Sequence, residues 1–455
     1  MRVVAGAALR RQNARMNSID WLREPSLDEL RAIPFKPVDP AVARHDIEAR
    51  GFVRVPLDYS RPQGPEVGVF YRLIPAQGAS LGDASRPVVV VINGGPGMPS
   101  WLYRPYDFDY TGRRAPKVDY LGELTKHFAV LIVDQRGTDG NSCPLDLDDP
   151  AAKPELIARY FDSLHVALDH QEVVNAVLPG RDFFMIAQSY GGMVGMHYMS
   201  LPQITRVPKA ICFSAAAMPH GDFLAQSRQR RAQQKEFNRR LQATRPDLPP
   251  KIVALRRRFT EHGLAPDNAH FLWTYLGQGE DGDWQKKLGR KLDELLAADA
   301  KGLAEFVAEE GASNFLNYVL SNPMTTPGHT DATLARVLER EIAYDAEWML
   351  DECWVLKTTG RDGTWRQAVI EAMDAAPHPG LRYPSPDEIK RGFRRSRVLF
   401  ALAEGDVFLP LEGVRRNAAL FQVPGVTSEL VLPGGHKAVF LPKGARAFRD
   451  WALAA

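Results

Sequence analysis

The sequence predicts an α/β fold: a mostly parallel sheet covered by helices, with a helical segment inserted before the last strands. Three observations predict it. The runs 88–93 (VVVVIN), 128–134 (FAVLIVD), 183–189 (FFMIAQS) and 209–215 (KAICFSA) are continuously apolar rather than alternating, as strands buried on both faces are. A helical stretch at roughly 154–178 separates the second run from the third, which is the order of a βαβ unit. From about 220 to 395 the strand signal lapses, and it returns in 395–406 (RSRVLFALAEGD) and 428–436 (SELVLPGGH).

Taken in chain order, residues 1–45 read as a partly disordered leader. The stretch from Val3 to Leu9 is short for a signal peptide, and Arg10-Arg11 stands where a small-residue cleavage site is expected. A late start at Met16 and organelle targeting by this Arg-rich, acid-poor segment are the competing readings. Residues 52–59 and 67–74 are rich in β-branched and aromatic residues and flank the turn-like SRPQGPE, so they are expected to pair as an antiparallel hairpin.

The sheet domain would then comprise 46–218 and 396–455, with 219–395 folding between them as a helical cap. Within the cap, Trp284, Leu288, Leu292, Leu295 and Leu296 share one helical face, and Leu334, Leu338, Ile342, Met349 and Cys353 repeat the pattern. Two sequential domains are the alternative. That arrangement is disfavoured because two isolated C-terminal strands need an existing sheet to join.

Composition narrows the function. The 455 residues are 45% hydrophobic and 25% charged, with a formal net charge of +2, an ordinary globular balance that gives no reason to expect a nucleic-acid partner. No apolar run approaches the roughly 20 residues needed to span a bilayer. Cys143, Cys212 and Cys353 lie far apart and cannot all pair, which suits a reducing, cytoplasmic compartment. No cysteine pair has zinc-ligand spacing and no His-Glu-x-x-His is present, so neither a metal nor a cofactor is expected.

The strongest local motif is Ala187-Gln188-Ser189-Tyr190-Gly191-Gly192, placed directly after FFMI and before a helical stretch carrying Met193, Met196 and Met199. A sharp strand-to-helix turn of this kind strains the serine backbone and lifts its hydroxyl above the sheet. Upstream, VVVVI ends in Asn93-Gly94-Gly95-Pro96-Gly97, a turn that can aim backbone N–H groups at a developing oxyanion. Gly95, in preference to Gly94, and Tyr190 are the expected donors. The turn is no phosphate cradle, because no Gly-Lys-Ser or Gly-Lys-Thr follows.

A nucleophilic serine needs a base, and the base an orienting carboxylate. Asp406 ends VLFALAEGD and His436 follows ELVLPGG, so each lies just past a strand, where reacting groups gather in open α/β sheets. Rival bases are few. His329 and His378 fall in Pro/Gly-rich cap loops, and His165 and His170 on the helix before the serine strand.

With these motifs in order, the chain resembles the proline iminopeptidase family of α/β-hydrolases. The resemblance rests on NGGPG, DQRGTDGNS (Asp134 to Ser142), AQSYGG, EGD and GGH, and covers about 50–215 and 396 onward. Two departures stand out: Asn93 where relatives carry His, and Ala187 where they carry Gly. The resemblance implies an α/β-hydrolase fold with an inserted cap, and release of an N-terminal residue, often proline, from a small peptide or amino-acyl substrate. It also implies that Ser189, Asp406 and His436 form a triad. Cap carboxylates would pair with the substrate's free amine; Glu341 in LEREIAY is the leading candidate, and Glu310, Glu309 and Glu339 are the others. Arg136 is read as a buried organiser of loops beside the serine. An esterase or other small-molecule hydrolase, and a non-catalytic binding protein on the same fold, are the alternative functions.

Overall fold

The computed structural model describes residues 49–64, 66–80, 83, 85–96, 106–108, 114–116, 120–137, 160–221, 223–277, 284–308, 348–350 and 382–454. The apolar runs form the centre of an eight-stranded sheet. Its strands are β1 (Ala49–Pro56), β2 (Glu66–Ile74), β3 (Val88–Ile92), β6 (Ala129–Val133), β7 (Phe183–Gln188), β8 (Ala210–Ser214), β9 (Arg397–Ala403) and β10 (Thr427–Leu432). The order across the sheet is β1-β2-β6-β3-β7-β8-β9-β10. β1 and β2 form the expected antiparallel hairpin, with Phe52 opposite Phe70, and β2 meets β6 antiparallel. Every later pairing is parallel. A separate antiparallel pair, β4 (Tyr106–Phe108) and β5 (Arg114–Pro116), has no counterpart in the sequence reading. Strands of three residues carry no periodicity to detect.

Burial on both faces explains the unbroken apolar character of the central strands. Val88, Val90 and Ile92 join one core cluster, while Val89 and Val91 join another on the opposite face, as the two-residue period of a strand requires. The first cluster is closed by α2 (Ser163–Val177), α3 (Gly191–Ser200), α7 (Pro386–Phe393) and α8 (Leu411–Ala419). The second is closed by α1 (Gly122–Thr125) and α9 (Pro442–Leu453). Within the predicted helical stretch, Tyr160 is helical and α2 runs from Ser163. Asp162 caps it, accepting from the His165 amide at 2.8 Å, and residues 154–159 lie outside the described residues.

β8 and β9 are neighbours in the sheet although residues 215–396 separate them in sequence. The described part of that interval is helical: α4 (Phe223–Thr244), α5 (Leu248–Glu261), a 3₁₀ segment (Pro266–Tyr275), α6 (Trp284–Ala297) and α7. A third core joins α4, α5, the 3₁₀ segment and α6, and includes Trp284, Leu288, Leu292 and Leu295 from the predicted helical face. Ile389 and Phe393 of α7 instead belong to the sheet-side core. Of the second predicted face, Met349 is described and buried, and Leu334, Leu338, Ile342 and Cys353 lie outside the described residues. The leader, residues 1–45, also lies outside them. No helix among the described residues is long and apolar enough to cross a membrane.

Candidate active site

Register fixes which loops share an edge. Ile92 pairs with Ala187, Gln188 with Ser214, Ser214 with Ala401, and Ala403 with Leu432. Asn93, Ser189, Asp406 and His436 therefore all follow the carboxyl ends of parallel strands along one rim of the sheet.

Ser189 occupies the turn between β7 and α3 with φ at 57°, the left-handed region that non-glycine residues rarely enter. The turn is held on both sides: the Ser189 amide donates to Ser214 O at 3.1 Å, and its carbonyl accepts from Gly192 and Ala217, both at 2.9 Å. The glycines make the close approach feasible. A Cβ on Gly191 would lie 2.3 Å from the Ile92 carbonyl oxygen, so no side chain fits there. Ala187 is fully buried, and a Cβ on Gly195 one turn into α3 would lie 2.8 Å from its methyl. Gly195 thus provides the room that Ala187 takes up, which accounts for Ala at that position.

The turn after β3 packs onto the serine. A Cβ on Gly94 would be 3.2 Å from Ser189 Oγ, and Gly95 follows with φ at 122°. Gln135 braces this turn from below, its Nε2 donating to Gly94 O at 3.0 Å and lying 3.2 Å from Asn93 O and 3.3 Å from Asn93 Oδ1. Asn93 is fully buried. The backbone amides of Gly95 and Tyr190 donate to no oxygen among the described residues.

Asp406 is fully buried and its carboxylate is fully used. Oδ1 accepts from the amides of Phe408 (2.8 Å) and Leu409 (3.0 Å). Oδ2 accepts from Nδ1 of His436 at 2.8 Å, which fixes the proton on Nδ1 and leaves Nε2 as the basic nitrogen. The His436 side chain is 14% exposed. Its backbone carbonyl accepts from Gln188 Nε2 at 3.1 Å, so the residue next to the serine grips the histidine loop directly. Gln188 and Gln135 were not singled out for these contacts. Their only signal was position, one before Ser189 and one within the Asp-Gln-Arg-Gly run.

Arg136 lies behind the site, 1% exposed. Its guanidinium forks onto Asp169, Nε to Oδ2 at 2.8 Å and Nη2 to Oδ1 at 2.5 Å, and also donates to the carbonyls of Pro56, Leu57 and Tyr160. It ties the end of β1 to α2. Burial and the adjacent Asp169 carboxylate hold the Tyr59 phenol, which donates to Asp169 at 2.9 Å, well above its ordinary range.

The two described rival histidines are engaged elsewhere. His165 Nδ1 meets Asp162 at 2.9 Å and His170 Nδ1 meets the Val166 carbonyl at 2.7 Å. His329 and His378 lie outside the described residues, as do Glu309, Glu310, Glu339 and Glu341. Cys212 is free and buried, its thiol pushed up by desolvation; Cys143 and Cys353 lie outside the described residues. Among the described residues no cluster of His, Cys, Asp and Glu has the makings of a metal site.

A family model described as "Alpha/beta hydrolase family" matches residues 89–314. The chain has the α/β-hydrolase fold. Solved structures similar to it include VinJ, at 15% identity and TM-score 0.41, covering 89% of this chain and 98% of that one. A proline iminopeptidase from Mycobacterium smegmatis is similar at 15% identity and TM-score 0.38, with 89% and 98% covered. Naproxen esterase (carboxylesterase NP) from Bacillus subtilis is similar at 13% identity and TM-score 0.34, with 89% and 92% covered. No curated protein sequence matches the chain.

Proposed function

We propose that this α/β-hydrolase is a serine hydrolase working through an acyl-enzyme, and that its substrates are small peptides or amino-acyl compounds from which it releases the N-terminal residue, proline among the candidates. The observation that carries the reading is the Asp406–His436 hydrogen bond, at 2.8 Å, on the rim that also presents the strained Ser189.

In this reading His436 Nε2 takes the proton of Ser189 as Oγ attacks the scissile carbonyl, and Asp406 holds the imidazole in the required tautomer. The amides of Gly95 and Tyr190 receive the developing oxyanion; losing one such donor typically raises a barrier by about 2.7–4 kcal/mol. His436 then gives its proton to the leaving amine, and water, activated by the same nitrogen, releases the acyl group. Glu341, with Glu310 as second choice, would recognise the free ammonium by charge pairing. No step calls for a metal or an organic cofactor.

Two measurements test this. A fluorophosphonate should label the folded protein and fail to label Ser189→Ala; absence of labelling in the unmodified chain would favour a binding protein on this fold. Amino-acyl arylamides should be cleaved with a free amine and resist cleavage when that amine is acylated. Equal cleavage of both would replace the aminopeptidase with an esterase or other small-molecule hydrolase.

A further inference from the structure

Asp406 is not the only neighbour of the His436 ring. The Phe408 ring lies 4.8 Å from it, centroid to centroid, at an interplanar angle of 44°. The same residue donates its amide to Asp406 Oδ1 at 2.8 Å. Phe408 therefore touches both partners of the dyad, the carboxylate through its backbone and the imidazole through its side chain.

On its other side Phe408 meets Trp273 edge to face, with centroids 4.9 Å apart at 65°. Trp273 belongs to the 3₁₀ segment of the inserted helices and is 3% exposed. The side chains around Phe408 divide between two cores. Val407 lies in the core of the inserted helices, Leu409 in the sheet-side core, and Phe408 packs against both. Just past the 3₁₀ segment, the Gly277 carbonyl lies 3.3 Å from the Cβ position of Gly435, beside the histidine. The inserted helices thus press on the Asp406 loop at Phe408 and on the histidine loop at Gly435.

A single hydrogen bond at Nδ1 leaves an imidazole free to swing about that bond. A flat hydrocarbon face removes the swing. An aromatic face also favours a cation over it, and imidazolium is the form that serine attack creates. We propose that Phe408 is a positioning residue for His436, fixing its ring plane and lying against the imidazolium that serine attack creates, and that Trp273 holds Phe408 in place. Through this pair the seating of the inserted helices sets the orientation of the base. The proposal rests on the serine-hydrolase reading above.

The test uses the full chain and a fluorophosphonate, with the maximal inactivation rate (kinact) and the half-saturating concentration (KI) measured separately. Phe408→Leu should lower kinact about tenfold, the size of a partly desolvated cation–aromatic contact, and leave KI within about twofold. Phe408→Tyr, which keeps the ring, should stay within about threefold of the parent. Trp273→Leu should lower kinact by a smaller factor. In the Phe408→Leu background it should add nothing, because it acts through the ring already removed. An unchanged kinact in Phe408→Leu overturns the proposal. So does an equal loss in the Leu and Tyr variants, and so does a rise in KI in place of the fall in kinact. If Phe408→Leu does not fold, the Tyr variant and Trp273→Leu carry the same comparison. A parent chain that fails to label removes the hydrolase reading itself, whereas a labelled parent with an unaffected Phe408→Leu removes only this proposal.

Discussion

Replacing Asp406 by Asn separates the electrostatics of the dyad from its architecture. The amide oxygen of Asn can still accept the Phe408 and Leu409 N–H groups that now reach Oδ1 at 2.8 and 3.0 Å. Its NH₂ then faces Nδ1 of His436 where Oδ2 stands at 2.8 Å, and two donors oppose each other. The imidazole must move its proton to Nε2, the nitrogen that accepts from Ser189 in the proposed mechanism. A wrong tautomer of this kind lowers turnover about 10⁴-fold, or about 5.4 kcal/mol of barrier at about 1.36 kcal/mol per decade. Stability should fall by no more than about 1–2 kcal/mol, because both amides keep an acceptor. Asp406→Ala should behave differently, leaving the buried Leu409 and the part-buried Phe408 N–H groups without this acceptor, at about 1–3 kcal/mol for the buried one. The assay pairs the rate of fluorophosphonate labelling with urea unfolding. Labelling of the Asp406→Asn variant at the parent rate would refute the role given to the carboxylate, whatever the unfolding curves show.

Three further outcomes follow from the packing. Gly195→Ala should destabilise the fold by about 1–3 kcal/mol through overpacking against Ala187, whose methyl lies 2.8 Å from the new Cβ. Adding Ala187→Gly should recover most of that loss in urea melts, giving a coupling energy of opposite sign. Asp169→Asn should lower stability by about 3–5 kcal/mol, since it leaves the buried Arg136 charge uncompensated; a cost below about 1 kcal/mol would mean the charge finds another partner. His197 is buried, and desolvation pushes it down to about 3. The unfolded chain takes up that proton near pH 6.5 and the native state does not. The stability associated with neutral His197 is therefore complete above about 6.5, and is lost at about 1.4 kcal/mol per unit as pH falls toward 3. His197→Leu should remove that share of the slope from urea stability measured between pH 7 and 5.

The parallel strands were legible because burial on both faces leaves an unbroken apolar string, and Val88 through Ile92 is such a string. The approximate positions of Ser189, Asp406 and His436 were legible for the same reason, since each sits one to four residues past a recognisable strand. Helices α4 and α5 were not singled out as helices. The buried positions of α4 include Gln226, Arg231, Gln234 and Asn238 beside Phe237 and Leu241, so its inward face is largely polar and no hydrophobic period marks it. The grip of Gln188 on the His436 carbonyl spans 248 positions of sequence, and no local pattern encodes a contact at that separation. Gly195 is an intermediate case. Ala187 was visible as a departure, but the glycine that accommodates it appears only once strand and helix are packed together.

The adjacency of β8 and β9 has a consequence for how the chain becomes competent during synthesis. Ser189 and its glycine-lined turn can be in place as soon as β3, β7 and β8 have paired, while Asp406 and His436 are still to be translated. Until the stretch from Arg397 onward slots in beside β8, the nascent chain carries the Ser189 hydroxyl without the proposed base His436. On the proposed mechanism, reactivity switches on only after the last ribs of the sheet arrive, and a ribosome-bound or prematurely released fragment should not be labelled by a fluorophosphonate.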